Sequence, residues 1–181
     1  MAKKFINRQS MKNIILIGFM GVGKGSVARE VVKNSRYVAI DTDDLIESME
    51  NRKIKKIFEQ EGEAYFRELE KNISVWLEKS VKNTLISTGG GFYKVKNLKK
   101  IGTVVFLDSP FEEIFKRIED HPNAKSKLKK RPLLSNLSEA KKLYDMRRPE
   151  YLALADIVID VTNKSVQECT KELLKKVAKN A

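Results

Sequence analysis

Cysteine and histidine are almost absent from this sequence of 181 residues, which has one of each, Cys169 and His121. A single cysteine excludes a disulfide within the chain, and no cluster of cysteine and histidine exists that could form a zinc site. This sparing use of cysteine is typical of proteins in a reducing compartment. The sequence therefore predicts a cytoplasmic protein.

Long apolar runs are also missing. The first residues, MAKKFINRQSMKNIILIG, contain no apolar stretch long enough for a signal peptide, and no later stretch approaches a membrane span. We expect no membrane association.

Residues 1–12 are interpreted as a basic tail, followed by a single domain over residues 13–181. In a domain of this size, one core buries about 70% of the surface that the unfolded chain exposes. No helix offers a sustained second apolar face, so a monomer is predicted.

Acidic residues are fewer than basic ones: the sequence has 24 Asp and Glu and 36 Lys and Arg, which gives a net charge of +12. Such an excess of positive charge can bind nucleic acid, an acidic membrane surface or small anionic ligands. The lysines are spread over most of the predicted helices, whereas a nucleic-acid groove favours one basic stripe with interleaved aromatic residues. We therefore expect a solvated, lysine-rich surface and no specific nucleic-acid partner.

The stretch GFMGVGKGS (18–26) lies between an apolar, β-branched run, NIILI (13–17), and a helical pattern with Val27, Val31 and Val32 on one side. Strand, glycine-rich turn and helix are the context of the phosphate-binding loop G-x-x-x-x-G-K-[ST]. Glycines let such a loop turn its N–H groups toward phosphate, and the helix N-terminus adds its positive dipole. The residues predicted to bind a triphosphate are Gly21, Val22, Gly23, Lys24, Gly25 and Ser26.

Further apolar runs alternate with helical patterns along the chain: YVAID (37–41), TLIST (84–88), TVVFLD (103–108) and DIVID (156–160). With NIILI they predict an α/β protein of three layers, a five-stranded parallel sheet flanked by helices. Helix starts are indicated by Ser109-Pro110 and by the capping-box pattern SVQE (165–168). Phe66, Leu69, Ile73, Trp76 and Leu77 recur at helical spacing, so Trp76 is expected in the core.

Ligands of open α/β sheets bind beyond the carboxyl ends of the strands, so the residues after each apolar run are candidates. If the chain stays extended, Asp41 and Asp43 point the same way, toward the phosphate loop. One carboxylate can then hold the magnesium shell, and the other can accept a hydroxyl proton. The alternative is that Asp43 or Asp44 only caps the next helix. Three glycines in STGGG (87–91) favour close approach of a ligand to the backbone over a plain turn.

Arginines beside aromatic residues form a second group of candidates, Arg67 in AYFRELE and Arg147 with Arg148 in YDMRRPEY. A guanidinium matches the geometry of a carboxylate, which suits a bidentate clamp, although each of these residues alone could be a surface arginine. The segment DHPNAKSKLKKRP (120–132) is polar and rich in lysine. It is either a disordered surface loop or a mobile lid over the phosphates.

Six motifs in order resemble those of shikimate kinases, small P-loop kinases related to the nucleoside monophosphate kinases. They are Gly18 to Lys24, DTD (41–43), FRELE (66–70), GGG (89–91), RPLL (131–134) and RRPEYLALA (147–155), and the match runs from about Asn13 to the C-terminal helix. The resemblance implies a P-loop kinase fold with a mobile lid near residues 120–132. It also implies transfer of the γ-phosphate of ATP to the 3-hydroxyl of shikimate, with Mg²⁺, on the way to chorismate and the aromatic amino acids.

Roles for single residues follow from the same resemblance. Lys24 would bridge the phosphates, and Arg131 would reach the transferring phosphate as the lid closes. Asp43 would orient or deprotonate the attacking hydroxyl. Shikimate would be held by Asp43, Arg67, Gly89, Gly90, Gly91 and Arg147, with the two arginines on its carboxylate. Adenine would contact the loop after the last strand, residues 162–166 with Asn163, and Arg117 is a candidate for stacking on the base.

Gly25 departs from the family, which has a serine or threonine there as a direct magnesium ligand. Water could fill that coordination position, since Mg²⁺ keeps several waters, or Ser26 could be drawn into reach, or catalysis could have decayed. Water is the preferred interpretation, with Asp41 carrying more of the outer shell of the metal. Rival functions are a related kinase acting on gluconate or a nucleotide, and a catalytically silent ATP-binding or regulatory protein.

Overall fold

A five-stranded parallel sheet forms the centre of the computed structural model, which describes residues 11–120, 122 and 136–180. The strands are β1 (Asn13–Ile17), β2 (Val38–Asp41), β3 (Thr84–Ser87), β4 (Gly102–Asp108) and β5 (Ile157–Asp160). Their order in the sheet is β2-β3-β1-β4-β5, and each neighbouring pair is parallel. The predicted α/β fold is confirmed, with each strand at the apolar run that indicated it.

Seven helices surround the sheet in the described part of the chain. They are α1 (Lys24–Asn34), α2 (Thr42–Glu50), α3 (Ile54–Ser80), α4 (Leu98–Ile101), α5 (Phe111–Glu119), α6 (Leu137–Leu154) and α7 (Val166–Lys179). The capping box at the start of α7 is present, because Ser165 Oγ accepts from the N–H of Glu168 and the Glu168 carboxylate accepts from the N–H of Ser165. None of the described helices combines the length and the apolar character that crossing a membrane requires.

Helix α3 is broken at Gly62, where φ is 80° and ψ is 178°. These angles lie outside the helical region and are readily adopted only by glycine. The helical segment that follows therefore starts at Glu63, and Arg67 lies four residues later, about one turn along and on the same face. A short 3₁₀ turn, Phe92–Lys94, follows the glycines after β3.

The core lies on the three inner strands, β3, β1 and β4, and on one face of the packed helices. All five residues of β1 are buried, as are Phe66, Leu69, Ile73 and Leu77 of α3. Trp76 is 46% exposed, so its expected core position was wrong, and Val32, predicted on one side of α1 with Val27 and Val31, is 40% exposed. Successive residues of a helix point about 100° apart, and Trp76 and Val32 lie at the edge of the buried stripe that contains their neighbours Leu77 and Val31.

Two predicted segments fall mostly outside the described residues. Of the basic tail, only Met11 and Lys12 are described, and Met11 packs partly buried against the core. Of the lid segment 120–132, only Asp120 and Pro122 are described. Arg131 and the RPLL motif at 131–134 lie outside the described part.

Candidate active site

The sheet brings three chain segments together at the carboxyl ends of β1, β2 and β3. The glycine-rich loop follows β1, the aspartates Asp41 and Asp43 end β2 and begin α2, and the triple glycine follows β3. Strand β3 lies between β1 and β2 in the sheet, so the triple glycine is the central element of the group. The segments are distant in sequence and meet because parallel strands end at one edge.

The loop between β1 and α1 has the backbone of a phosphate-binding turn. Gly18, Gly21 and Gly23 have φ values of 146°, 87° and 111°, which other residues rarely adopt. Lys24 begins α1 and folds back, so that its buried Nζ donates to the carbonyl oxygens of Gly18 at 2.7 Å and Phe19 at 3.1 Å. The lysine charge is thereby held at the mouth of the loop, beside the N-terminus of α1.

Gly25 is the second residue of α1 and has an ordinary helical backbone. A Cβ added there would meet only Arg29 Nη1 at 3.5 Å, an ordinary van der Waals distance. Ser26 Oγ accepts a long hydrogen bond of 3.4 Å from Arg29 Nη2. Neither the backbone nor the packing therefore requires glycine at position 25, and the guanidinium of Arg29 lies beside both residues.

Asp41 is the N-cap of α2. Its Oδ1 accepts from the N–H groups of Asp43 at 2.9 Å and Asp44 at 3.5 Å, and its Oδ2 accepts from Ser87 Oγ at 2.7 Å. The chain turns into the helix at Thr42, so the predicted extended geometry, with both aspartates pointing the same way, was wrong. The alternative, with Asp43 or Asp44 as the cap, was wrong too, because the capping side chain is Asp41.

Asp43 reaches the triple glycine from the first turn of α2. Its carboxylate lies directly against Gly89, where a side chain would collide with it. Burial, and after it the nearby charge of Asp41, raise the pKa of Asp43 to about 7, while Lys24 opposes the shift. A carboxylate with a pKa near neutrality can accept and release a proton at physiological pH.

Each of the three glycines faces one functional side chain. A Cβ on Gly89 would collide with Asp43, one on Gly90 would lie 3.2 Å from Arg147 Nη1, and one on Gly91 would lie 2.8 Å from Arg67 Cζ. None of the three has a left-handed φ. The glycines make room for side chains of the protein itself, and the structure thus gathers Asp43, Arg147 and Arg67 along one short segment.

The two arginines are held by groups that the sequence reasoning did not assign. Arg67 Nη1 donates to Glu70 Oε2 at 2.6 Å, and burial raises the pKa of Glu70, with Arg67 opposing. Arg147 is buried and donates from Nη1 to the carbonyl of Gly90 at 3.2 Å, which also accepts from Tyr151 Oη at 2.6 Å. Within the described residues, Arg147 Nε has no hydrogen-bond partner.

A signal for these partners was present in the sequence. Glu70 lies three residues after Arg67, and Tyr151 lies four after Arg147, spacings that put two side chains on one face of a helix. A further contact had no such signal, because Tyr93 donates to the Glu150 carboxylate across 57 residues. It ties the segment after the glycines to α6, the helix of Arg147.

Arg117 and Asn163 lie on the other side of the phosphate loop. Arg117 donates from Nη1 to the carbonyl of Val22 at 3.2 Å and from Nη2 to the carbonyl of Val161 at 3.1 Å. It thus connects the phosphate loop to the turn after β5, where Asn163 has a left-handed φ of 53°. This is the neighbourhood where the resemblance expects a nucleotide base.

Comparisons with known proteins agree with this geometry. The family model for shikimate kinase matches residues 20–178. A shikimate kinase of Helicobacter hepaticus is 37% identical over 172 residues, 87% of this chain and 100% of that protein. One of Clostridium botulinum is 43% identical over 159 residues, 84% and 89% of the two chains. The solved structure of shikimate kinase from Acinetobacter baumannii in complex with shikimate has a TM-score of 0.81 and 31% identity, covering 94% of each chain. The chain belongs to the shikimate kinase family, as its motifs indicated.

Proposed function

We propose that this chain transfers the γ-phosphate of ATP to the 3-hydroxyl of shikimate, giving shikimate 3-phosphate and ADP. The observation that carries the proposal is the convergence of Asp43, Arg147 and Arg67 on Gly89, Gly90 and Gly91 beside the phosphate loop. A proton acceptor and two guanidinium groups in one small surface suit a substrate with both a hydroxyl and a carboxylate. A nucleotide acceptor has no carboxylate for such a clamp.

Asp43 is the group proposed to act on the reacting hydroxyl. Its pKa of about 7 means that a substantial fraction is deprotonated at neutral pH and can accept the hydroxyl proton. Lys24, one residue into the phosphate loop helix, is the cation that bridges the phosphates. Phosphoryl transfer asks the protein mainly for such positioning and charge stabilisation.

The arginines are proposed to divide between the two substrates. Arg67 and Arg147 bind the carboxylate of shikimate, and the buried Glu70 fixes the guanidinium of Arg67. Arg117, held between Val22 and Val161, contacts the base of ATP together with the turn that contains Asn163. Arg131, outside the described residues, is proposed to reach the transferring phosphate from the lid.

The residues present fit a magnesium ion that is held mainly by phosphate oxygens and water. Gly25 offers no oxygen, and no group of three or more Asp, Glu, His or Cys side chains within the described residues could hold an ion alone. Asp41, whose carboxylate accepts from uncharged donors, can also accept from a metal-bound water. Ser26 remains the alternative ligand, and its hydroxyl accepts from the Arg29 guanidinium in this structure. When bound, magnesium neutralises charge on the phosphates.

The test is ADP release by the purified protein with ATP, magnesium and one acceptor at a time: shikimate, gluconate, AMP or CMP, each against a blank without acceptor. We expect release with shikimate alone. Release with gluconate in place of shikimate would overturn the substrate assignment. ATP binding without release for any acceptor would instead favour the silent ATP-binding protein, for which Gly25 is the support.

We further propose a cytoplasmic monomer without a specific nucleic-acid partner. Surface lysines pair with neighbouring carboxylates, for example Lys53 with Glu47 and Lys141 with Asp145, which supports a solvated surface over a basic groove. Light scattering after size-exclusion chromatography should give the mass of one chain. Any DNA binding should be weak and should vanish as the salt concentration rises.

A further inference from the structure

The guanidinium of Arg67 is engaged by two carboxylates of its own helix. Nη1 donates to Glu70 Oε2 at 2.6 Å, while Nε and Nη2 both donate to Glu63 Oε1, at 3.0 and 2.7 Å. The edge formed by Nε and Nη2 is one of the two that can take a carboxylate in the bidentate way. In this structure Glu63 fills that edge.

The two carboxylates differ in how firmly they are placed. The side chain of Glu70 is 2% exposed, whereas that of Glu63 is 64% exposed. Glu63 also directly follows the break at Gly62, so it is the first residue of its helical segment and has no helical turn before it. Exposed ion pairs contribute little to stability, so Glu63 can leave Arg67 at a small cost while Glu70 stays.

The Glu63 carboxylate lies close to the positive charges of the carboxylate clamp, which we define as Arg67 and Arg147. Its hydrogen bond with Arg67 and the charge of Arg67 lower the pKa of Glu63, and Lys94 and Arg147 lower it further. Three cations from three chain segments therefore act on this one carboxylate. Arg67 and Arg147 are the same two residues that the proposed function assigns to the carboxylate of the substrate.

We propose that the Glu63 side chain is an internal ligand of the carboxylate clamp, which the substrate carboxylate displaces when it binds. This inference rests on the proposed function, because it needs a carboxylate substrate at Arg67. The exchange replaces one carboxylate by another, so Arg67 stays neutralised in both states. The cost of displacing Glu63 lowers the apparent affinity for substrate, as any competing state does. A ligand without a carboxylate would displace Glu63 without replacing its charge, so the device also favours acidic substrates.

Glu63→Gln tests the inference by weakening the internal ligand while keeping its size. We expect the KM for shikimate to fall by about two- to fivefold, the range that the loss of one exposed ion pair allows, with the effect on KM and not on kcat. The KM for ATP should stay the same. Glu63→Asp keeps the charge on a shorter side chain and should lie closer to the wild type.

Glu68→Gln is the matched control. Glu68 is on the same helix, is exposed to a similar degree and pairs with Lys71 instead of Arg67. This variant removes the same charge and should leave the KM for shikimate unchanged. Titration calorimetry with shikimate on all variants gives a readout that does not depend on turnover.

The outcomes separate the two proposals. A higher KM in Glu63→Gln would show that Glu63 positions Arg67 for the substrate and would overturn the inference. An equal fall in both Gln variants would assign the effect to bulk charge and overturn it as well. A wild-type protein that neither binds nor phosphorylates shikimate would overturn the proposed function itself.

Discussion

The substitution Gly25→Ser would restore the hydroxyl group that the family has at this position. It would show how magnesium is bound when that ligand is absent. Gly25 is the second residue of α1, and a Cβ there meets only the guanidinium end of Arg29 at 3.5 Å. Serine and alanine both fit this space and this backbone. The pair Gly25→Ser and Gly25→Ala therefore differs in the hydroxyl and in little else.

The effect of both substitutions on stability can be estimated from helix propensity. Glycine in a helix is about 1 kcal/mol less favourable than alanine and about 0.5 kcal/mol less favourable than serine. For a chain of this size, 1 kcal/mol corresponds to about 2–4 °C in Tm. We expect Tm to rise by about 1–2 °C for Gly25→Ser and by about 2–4 °C for Gly25→Ala, so neither variant should suffer in folding.

The effect on magnesium should separate the two variants. If water occupies the coordination position, a serine hydroxyl would replace it and remove the cost of ordering that water, which is about 0–2 kcal/mol. A gain of about 0.7–1.4 kcal/mol would lower the magnesium concentration at half activity by about three- to tenfold. Gly25→Ala supplies no oxygen and should keep the wild-type value.

The assay is ADP release at saturating ATP and shikimate, with magnesium varied, for the wild type and both variants. One magnesium curve shared by all three proteins would refute the reasoning, because the hydroxyl would then have no part in holding the metal. Equal shifts in Gly25→Ser and Gly25→Ala would assign the change to the helix and not to the ligand.

Four further predictions concern the substrates. Asp43→Asn should reduce kcat by on the order of 10²- to 10⁴-fold. In the wild type, kcat/KM for shikimate should fall as the pH drops below about 7, since protonation of Asp43 removes the proton acceptor, and a flat profile from about pH 6 to 8 would contradict this. Gly91→Ala should raise the KM for shikimate and lower Tm, because the new methyl group takes the space of the Arg67 guanidinium and moves it away from the buried Glu70; an unchanged KM would count against the clamp. Arg131→Ala should lower kcat far more than it weakens ATP binding measured by calorimetry, whereas equal losses would exclude a role at the transferring phosphate.

Local sequence patterns predicted the sheet well, because each strand is a short β-branched run between helical patterns. They predicted helix faces less well. Trp76 and Val32 belong to apolar sets at helical spacing but lie at the edge of the buried stripe. The spacing of apolar residues predicts which side of a helix is apolar. How much of that side is buried depends on the element that packs against it.

The start of α2 was a harder case for the same reason. The run DTDD contains three aspartates, and any of them has the side chain of a good N-cap. The choice of Asp41 depends on Ser87, which donates to its other oxygen from a neighbouring strand 46 residues away. A contact of that kind cannot be read from the local sequence. Because Asp41 caps a helix that begins at Thr42, the extended geometry assumed for Asp41 and Asp43 does not form.

Glycine shows most clearly where sequence reasoning stops. All nine glycines lie in the described part of the chain, and eight of them have a structural requirement: a left-handed φ at positions 18, 21, 23 and 62, or close contact with other groups at positions 89, 90, 91 and 102. The sequence could not tell these two causes apart, because both appear only as a missing side chain. Gly25 has neither requirement, so the fold does not explain it. Either glycine at position 25 affects the bound nucleotide or its metal, or it has no role at all. The comparison of Gly25→Ser with Gly25→Ala decides between these two possibilities.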